Sequence, residues 1–192
     1  MEEIHYFPAK RKLASPYFSI LIPSWNNLPY LTLCINSIRK HSVVPFELIV
    51  HLNESNDGSK EWVEAQEDIA FSYSHKNVGV CHAMNAMRTL ANANYLLYLN
   101  DDMYVLPDWD QELKKEIDSC GTQKFFFSST MIEPRAQSTC SIEADFGTSI
   151  ENFQEEKLLN TYRQFEFQDW QGSTWPPNVV HKNLWDLVGG YS

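Results

Sequence analysis

The sequence predicts an α/β domain with a mostly parallel sheet flanked by helices. Three observations carry that prediction. Short apolar strand segments alternate with amphipathic helical segments from residue 17 to residue 130, the order a parallel sheet with right-handed crossovers requires. The segments that follow the strands, 23–27, 52–57, 75–79 and 100–103, are all polar or turn-rich, as a shared ligand cleft at the C-terminal strand ends demands. Finally, the apolar strand at 95–99 runs straight into Asn100, Asp101 and Asp102. Adjacent carboxylates raise each other's pKa unless positive charge sits between them, and hard divalent cations prefer carboxylate oxygens. That turn is the first candidate for a metal-assisted site.

The elements follow in order. Residues 1–16 read as a polar lead-in ending at Pro16, and residues 17–22 as a buried strand stopped by Pro23. Leu28, Leu31, Ile35 and Ile38 recur at spacings of three and four, which makes an amphipathic helix. Pro29 suits its first turn. Residues 46–52 form the second strand. Asn56, Asp57, Gly58 and Ser59 read as a turn and N-cap before a helix over 60–67. Residues 69–74 form a short third strand. Val80, Ala83, Met84, Met87, Leu90 and Ala91 line one face of the next helix, and His82, Asn85, Thr89 and Asn92 line the other. The strand at 95–99 precedes a helix over 107–118 with an apolar stripe of Trp109, Leu113 and Ile117. Residues 124–130, with three consecutive phenylalanines, read as another buried strand.

Beyond Met131 the pattern weakens. Residues 132–150 have no clean period and read as a long, partly ordered excursion. A helix over 151–163, a rigid loop at 172–178 around Trp175, Pro176 and Pro177, a short strand at 179–180 and a short helix over 182–188 complete the chain, with a Gly189-Gly190 turn after them.

Composition narrows the function classes. The 192 residues suggest one domain with a sizeable core. Apolar residues make up 43% and charged residues 21%, a globular balance. Fifteen basic against 25 acidic residues leave a formal charge of −10. That argues against a nucleic-acid partner, since phosphate backbones are bound by clustered Lys and Arg. A single diphosphate would still need local help from a metal, a helix N-terminus or a few placed cations. Cys34, Cys81, Cys120 and Cys140 form no Cys-x-x-Cys pair or zinc pattern and read as reduced, structural residues of a cytosolic protein. The first thirteen residues hold no signal-peptide core, and no apolar run approaches the ~20 residues that span a bilayer. The expectation is a soluble cytoplasmic protein that could sit on the cytoplasmic face of a membrane through another segment or a partner.

Five blocks together resemble the nucleotide-binding half of a family 2 glycosyltransferase with the GT-A fold, a Rossmann-like sheet flanked by helices. Residues 19–27, through Pro23, Ser24, Trp25, Asn26 and Asn27, are similar to the family's strand followed by Pro-x-aromatic-Asn, whose aromatic packs near the base. Residues 47–59 resemble the strand followed by Asp-Asn-Gly-Ser-Thr-Asp-Gly-Thr. Asn77, Val78 and Gly79 with Ala83, Met84 and Asn85 are similar to Asn-x-Gly and Ala-x-Asn. Asn100, Asp101 and Asp102 stand where the family has its Asp-x-Asp metal motif, and residues 182–191 resemble the late block ending in Gly-Gly-aromatic.

The resemblance implies transfer of a sugar, with inversion, from a nucleoside diphosphate donor of UDP or GDP type to a saccharide or lipid-linked hydroxyl. It implies Mn²⁺ or Mg²⁺ at Asp102, and nucleotide contacts from Pro23, Trp25, Asn26, Asn53, Asn77, Asn85 and Asp101. The chain departs from the family in places. Leu52 stands for its first Asp after the second strand, Glu54 for its Gly, and Asn100 for the first metal-motif Asp. Asn53 stands at the position that often reads the base imide and can both donate and accept there. The family's catalytic base follows the Gly-Gly-aromatic block, so it is expected beyond Ser192 and the domain over 17–192 is expected to be C-terminally incomplete. Should the base lie within the chain, Asp186, Asp145 and Glu143 come first.

Plainer readings stand beside these. The acid pair could cap a turn, Trp25 could be core packing, and Asn53 and Asp57 could be turn formers, with Asp57 favoured as a cap. Asn85 could be simply solvated, Lys76 a lone surface lysine or a diphosphate contact, and His181 a satisfied structural histidine in place of a metal or phosphate contact. Two other function classes compete. A nucleotidyltransferase would carry a glycine-rich basic loop after the first strand, but residues 23–27 contain no Gly, Lys or Arg. A non-catalytic sugar-nucleotide-binding module would bind donor without turning it over.

Overall fold

The computed structural model describes residues 3–136, 140–165 and 175–192. A seven-stranded sheet organises the molecule. Its parallel centre comprises β2 (Phe18–Trp25), β3 (Phe46–Asn53), β4 (Ile69–Ser74) and β5 (Tyr95–Tyr98), after an N-terminal β1 (Ile4–Phe7). Helices α1 (Leu28–His41), α2 (Ser59–Glu64) and α3 (Gly79–Arg88) connect the parallel strands, and α4 (Trp109–Ser119) follows β5. Then come β6 (Phe126–Ser128), β7 (Met131–Glu133), β8 (Ser141–Glu143), α5 (Glu155–Thr161), β9 (Asn178–His181) and α6 (Lys182–Val188). The spatial order is β1-β4-β3-β2-β5-β9-β6, with β7 and β8 forming a separate parallel pair.

The strands alternate their side chains between two cores, as a sheet covered on both faces must. Phe18, Ile20 and Ile22 of β2 pack with Leu31, Ile35 and Ile38 of α1 and Leu113 and Ile117 of α4. Leu21, between them, faces Met84 and Met87 of α3 and Trp185 of α6. Asp57 fastens the loop after β3 to α1. Its Oδ2 accepts from the Leu28 amide at 2.7 Å and its Oδ1 from the Ser59 hydroxyl at 2.7 Å. Burial pushes this carboxyl up, but the hydrogen bonds from Ser59 and Leu28 outweigh it and hold the pKa below the ordinary value. Asp57 is thus a turn former that ties the start of α2 to α1, while the N-cap residue of α2 is Gly58, with no side-chain capping bond.

Several expectations need correction. Ile4–Phe7 is no polar lead-in: it pairs antiparallel with β4, and Phe7 stacks on Phe71 at 4.5 Å. The period-two placement of His5 and Phe7 over Tyr73 and Phe71 carries that pairing. The triple phenylalanine is buried on one side only. Phe125 and Phe127 stack at 4.5 Å toward the core, while Phe126 is 42% exposed on the edge strand β6. Val179 and Val180 belong to β9, which inserts antiparallel between β5 and β6. The expected excursion at 132–150 contains the short β8, and the expected helix over 151–163 shortens to Glu155–Thr161 with a 3₁₀ turn over Tyr162–Gln164. The rigid loop at 172–178 lies partly outside the described residues.

At the N-terminal end of the sheet, away from the cleft, one carboxylate ties three segments. Glu47 Oε1 accepts from Ser19 Oγ at 2.6 Å, from the Asn92 amide at 2.6 Å and from the Ala93 amide at 3.2 Å, while Oε2 accepts from Asn92 Nδ2 at 2.9 Å. Hydrogen bonds to a charged group are the stronger class. Glu47→Ala is expected to lower stability by roughly 2–3 kcal/mol, a fall in melting temperature of roughly 5–10 °C by calorimetry, without changing ligand binding at the far end.

Candidate active site

Topology places the site before any side chain is considered. The chain lays down β2, β3 and β4 in one direction, then returns to set β5 on the other side of β2. The C-terminal ends of β2 and β5 therefore flank the point where strand order reverses, and ligands of open α/β sheets bind in the crevice there. One hydrogen bond spans it: Ser24 Oγ donates to Asp101 Oδ2 at 2.6 Å. Burial pushes the Asp101 carboxyl above its ordinary pKa, the bonds from Ser24 and Asn27 oppose that, and Asp102 adds to the rise. Asp101 is thus a held carboxylate. Asp102 has no hydrogen-bond or ion-pair partner among the described residues and faces a cleft of about 780 Å³.

The strand-end segments meet at this edge. Trp25 lies beside Asn53 in register, and Asn26 Oδ1 accepts from the Asn56 amide at 2.6 Å. Asn53 Oδ1 accepts from the Val78 amide at 2.8 Å, which joins the β3 loop to the start of α3. Pro23 sits half-buried on β2, and Trp25 is 57% exposed, so Trp25 is not core packing. Asn77 Oδ1 accepts from the Gly79 amide at 2.8 Å, an Asx turn into α3. Asn85 is occupied: Nδ2 donates to the Tyr191 carbonyl at 2.8 Å and Oδ1 accepts from the Tyr191 amide at 3.0 Å. A Cβ at Gly190 would come within 2.2 Å of that same Oδ1, so the late Gly-Gly-Tyr block is seated on Asn85.

The cleft itself lies to one side of Asp102. Tyr104, Trp109, Phe153 and Trp175 contribute to a mostly apolar wall, and Glu133 is the second carboxylate that lines it among the described residues. Pro23, Trp25, Asn26, Asn53, Asn77, Asn85 and Asp101 do not line this cavity. Asp102 stands at the boundary between it and the Trp25–Asn53 edge. Glu133 escaped the sequence reading because the surrounding stretch has no period; the hydroxyl of Ser141 on β8 donates to its Oε1. Tyr104 is held by a chain of partners: it donates to Glu155 Oε1 at 2.6 Å and lies 2.9 Å from His41 Nε2, while Lys40 pairs with Glu155 at 2.6 Å.

Other candidates fall elsewhere. His181 pairs in register with Tyr95, at the opposite end of β5 from Asp102. Its Nδ1 accepts from the Asn183 amide at 3.1 Å and caps α6. Asp186 is held by Arg88 at 2.7 Å, and Asp145 Oδ1 accepts from the Gly147 amide at 2.8 Å. The described residues contain no group of three His, Cys, Asp or Glu able to hold a metal alone. Asp102 is a single carboxylate available to a divalent cation, whose remaining ligands would have to come from outside the described residues.

Comparison with known proteins decides the lineage. Residues 19–169 match the family described as Glycosyl transferase family 2. The chain belongs to this family. It is 29% identical over 104 residues to the uncharacterized glycosyltransferase EpsJ of Bacillus subtilis, covering 53% of this chain and 30% of EpsJ. It is 29% identical over 96 residues to a hyaluronan synthase of Pasteurella multocida, covering 48% of this chain and 10% of the synthase. The chain thus spans a third or less of these curated relatives. Among solved structures, S. aureus TarS 1-349 superposes with a TM-score of 0.64 at 17% identity, over 91% of this chain and 49% of that one. The mannosyltransferase PcManGT of Pyrobaculum calidifontis, in complex with GDP-Man and Mn²⁺, gives a TM-score of 0.59 at 15% identity, over 96% and 49%. The fold of this family member is GT-A: a mostly parallel sheet flanked by helices. Among the described residues no helix is long and apolar enough to cross a membrane.

Proposed function

We propose that the chain carries the donor half of an inverting glycosyltransferase, which moves a sugar from a UDP- or GDP-type donor to the hydroxyl of a saccharide or lipid-linked acceptor. The observation that carries this reading is the Asp102 carboxylate, without a partner among the described residues, at the strand-order reversal between the polar Trp25–Asn53 edge and an aromatic-lined cleft. The base and ribose lie over the β2 and β3 ends, with Trp25 and Asn26 closest, and the acceptor enters the cleft beside Glu133. Asp102 would hold Mn²⁺ or Mg²⁺, and such an ion would offset the charge that grows on the leaving group. Asp101, fixed by Ser24, orients the turn that presents Asp102. Inversion follows from direct attack by the acceptor hydroxyl on the face of the sugar opposite the diphosphate, with a carboxylate taking the hydroxyl proton. The net charge of −10 supports a role for such a cation beside a diphosphate. Similarity to a hyaluronan synthase supports a role in polysaccharide assembly.

Calorimetry with UDP and GDP, with Mn²⁺ and with EDTA, tests this. Binding of one nucleotide that weakens at least tenfold in EDTA is the expected result, and equal binding without metal would remove the cation from the reading. Release of free sugar from a donor separates an enzyme from a binding module, because a module binds without turnover. A nucleotidyltransferase would instead release pyrophosphate from a nucleoside triphosphate.

A further inference from the structure

Asn53 is badly placed to read a base. It is 4% exposed. Its Oδ1 accepts from the Val78 amide at 2.8 Å and from Ser74 Oγ at 3.4 Å, and its Nδ2 points to the Ser24 carbonyl at 3.5 Å. The amide is used in joining the ends of β2 and β4 to the start of α3. The next residue, Glu54, is turned outward. Its Oε2 accepts from Trp25 Nε1 at 2.8 Å and from Asn26 Nδ2 at 3.4 Å, while Oε1 has no partner among the described residues.

This arrangement is maintained against a backbone cost. Glu54, Ser55 and Asn26 all have positive φ, at 61°, 64° and 48°. Left-handed backbone disfavours residues with a Cβ and gathers at binding sites. The related family motif has glycine where Glu54 stands, the residue this conformation suits. The half-buried side chain present here fixes an indole that is 57% exposed. A tryptophan anchored through its N–H and open on its face is a platform for a flat ring.

We propose that Glu54 is the residue that sets base preference, by fixing Trp25 as the stacking surface and offering Oε1 to the edge of the stacked base. This rests on the donor-site reading above. A carboxylate only accepts hydrogen bonds. Uracil N3 and guanine N1 carry a hydrogen that Oε1 can accept, whereas the same ring position in cytosine and adenine is a bare acceptor and repels it. The site therefore takes a base with a ring N–H.

The test is binding of UDP, GDP, CDP and ADP to the full chain with Mn²⁺, for the wild type, Glu54→Gln and Glu54→Gly. Glu54→Gly relieves the positive φ and is expected to fold at least as well, which circular dichroism checks. The wild type is expected to prefer UDP or GDP over CDP and ADP by tenfold or more. Both variants are expected to lose roughly tenfold for the preferred nucleotide, as loss of a charge-assisted hydrogen bond predicts, and little for CDP, so that the ratio collapses. A simple structural role would weaken all four equally. Unchanged ratios in folded variants, or a wild type that binds CDP as well as UDP and GDP, would overturn the assignment and leave the donor site standing. A wild type that binds none of the four would remove both.

Discussion

Asp102→Ala is expected to abolish the metal-dependent part of donor binding and to lower sugar transfer by roughly 10²–10³-fold, since a Lewis-acid contact to the leaving group contributes several kcal/mol in the transition state. Asp102 is the carboxylate of the turn that has no partner among the described residues and borders the 780 Å³ cleft. Asp101→Ala is a different experiment, because Asp101 is bonded to Ser24 and its loss loosens the turn itself. In the Asp102 variant, nucleotide binding measured with Mn²⁺ should fall to the value that the wild type shows in EDTA. Retention of wild-type binding and of its metal dependence would exclude Asp102 as the ligand. Melting temperature should stay within a degree or two, because a carboxylate with no partner among the described residues supports little of the fold.

Acid is expected to destabilise the protein through His51. This residue is fully buried in β3, with Nδ1 2.8 Å from Ser72 Oγ and Nε2 3.2 Å from Ser74 Oγ. Burial lowers its pKa from 6.5 to about 4, with a small opposing contribution from Asn53. The unfolded chain therefore binds the proton first as pH falls. The stabilisation is complete above pH 6.5, declines between 6.5 and about 4, and is gone below that. The loss amounts to roughly 3 kcal/mol across the window. His41 and His181 are also lowered by burial and act in the same sense. Denaturant titrations at several pH values, for wild type and His51→Gln, isolate the buried residue. The variant's curve should be flatter between pH 6.5 and 4 by about that amount, and equal slopes would refute the assignment. Because His51 adjoins the Asn53 tie that shapes the cleft edge, donor binding should weaken over the same interval.

The comparison of sequence with structure turns on range. Period-two and period-3.6 patterns placed β2, β4, α1 and α6 nearly where they lie, because both faces of the parallel sheet are covered and the apolar spacing repeats within each element. The Asp101–Asp102 turn was legible for the same reason: a buried apolar strand that ends in two carboxylates conflicts locally with core formation. Glu133 and Tyr104 were not legible. Each matters through the cleft it borders, and that cleft is assembled from segments far apart in the chain.

By itself the sequence determined the α/β class, the run of parallel strands, the polar strand ends and the acid pair, all properties encoded within a dozen neighbouring residues. Only the tertiary structure decided that Ile4–Phe7 is an edge strand, that β9 enters antiparallel between β5 and β6, and that Asn53 faces inward while Glu54 faces out. These depend on which distant backbone groups find partners. A strand of four residues carries too little pattern to name its neighbour, and an asparagine amide serves a ligand or the fold according to whether a buried N–H, here that of Val78, reaches it first.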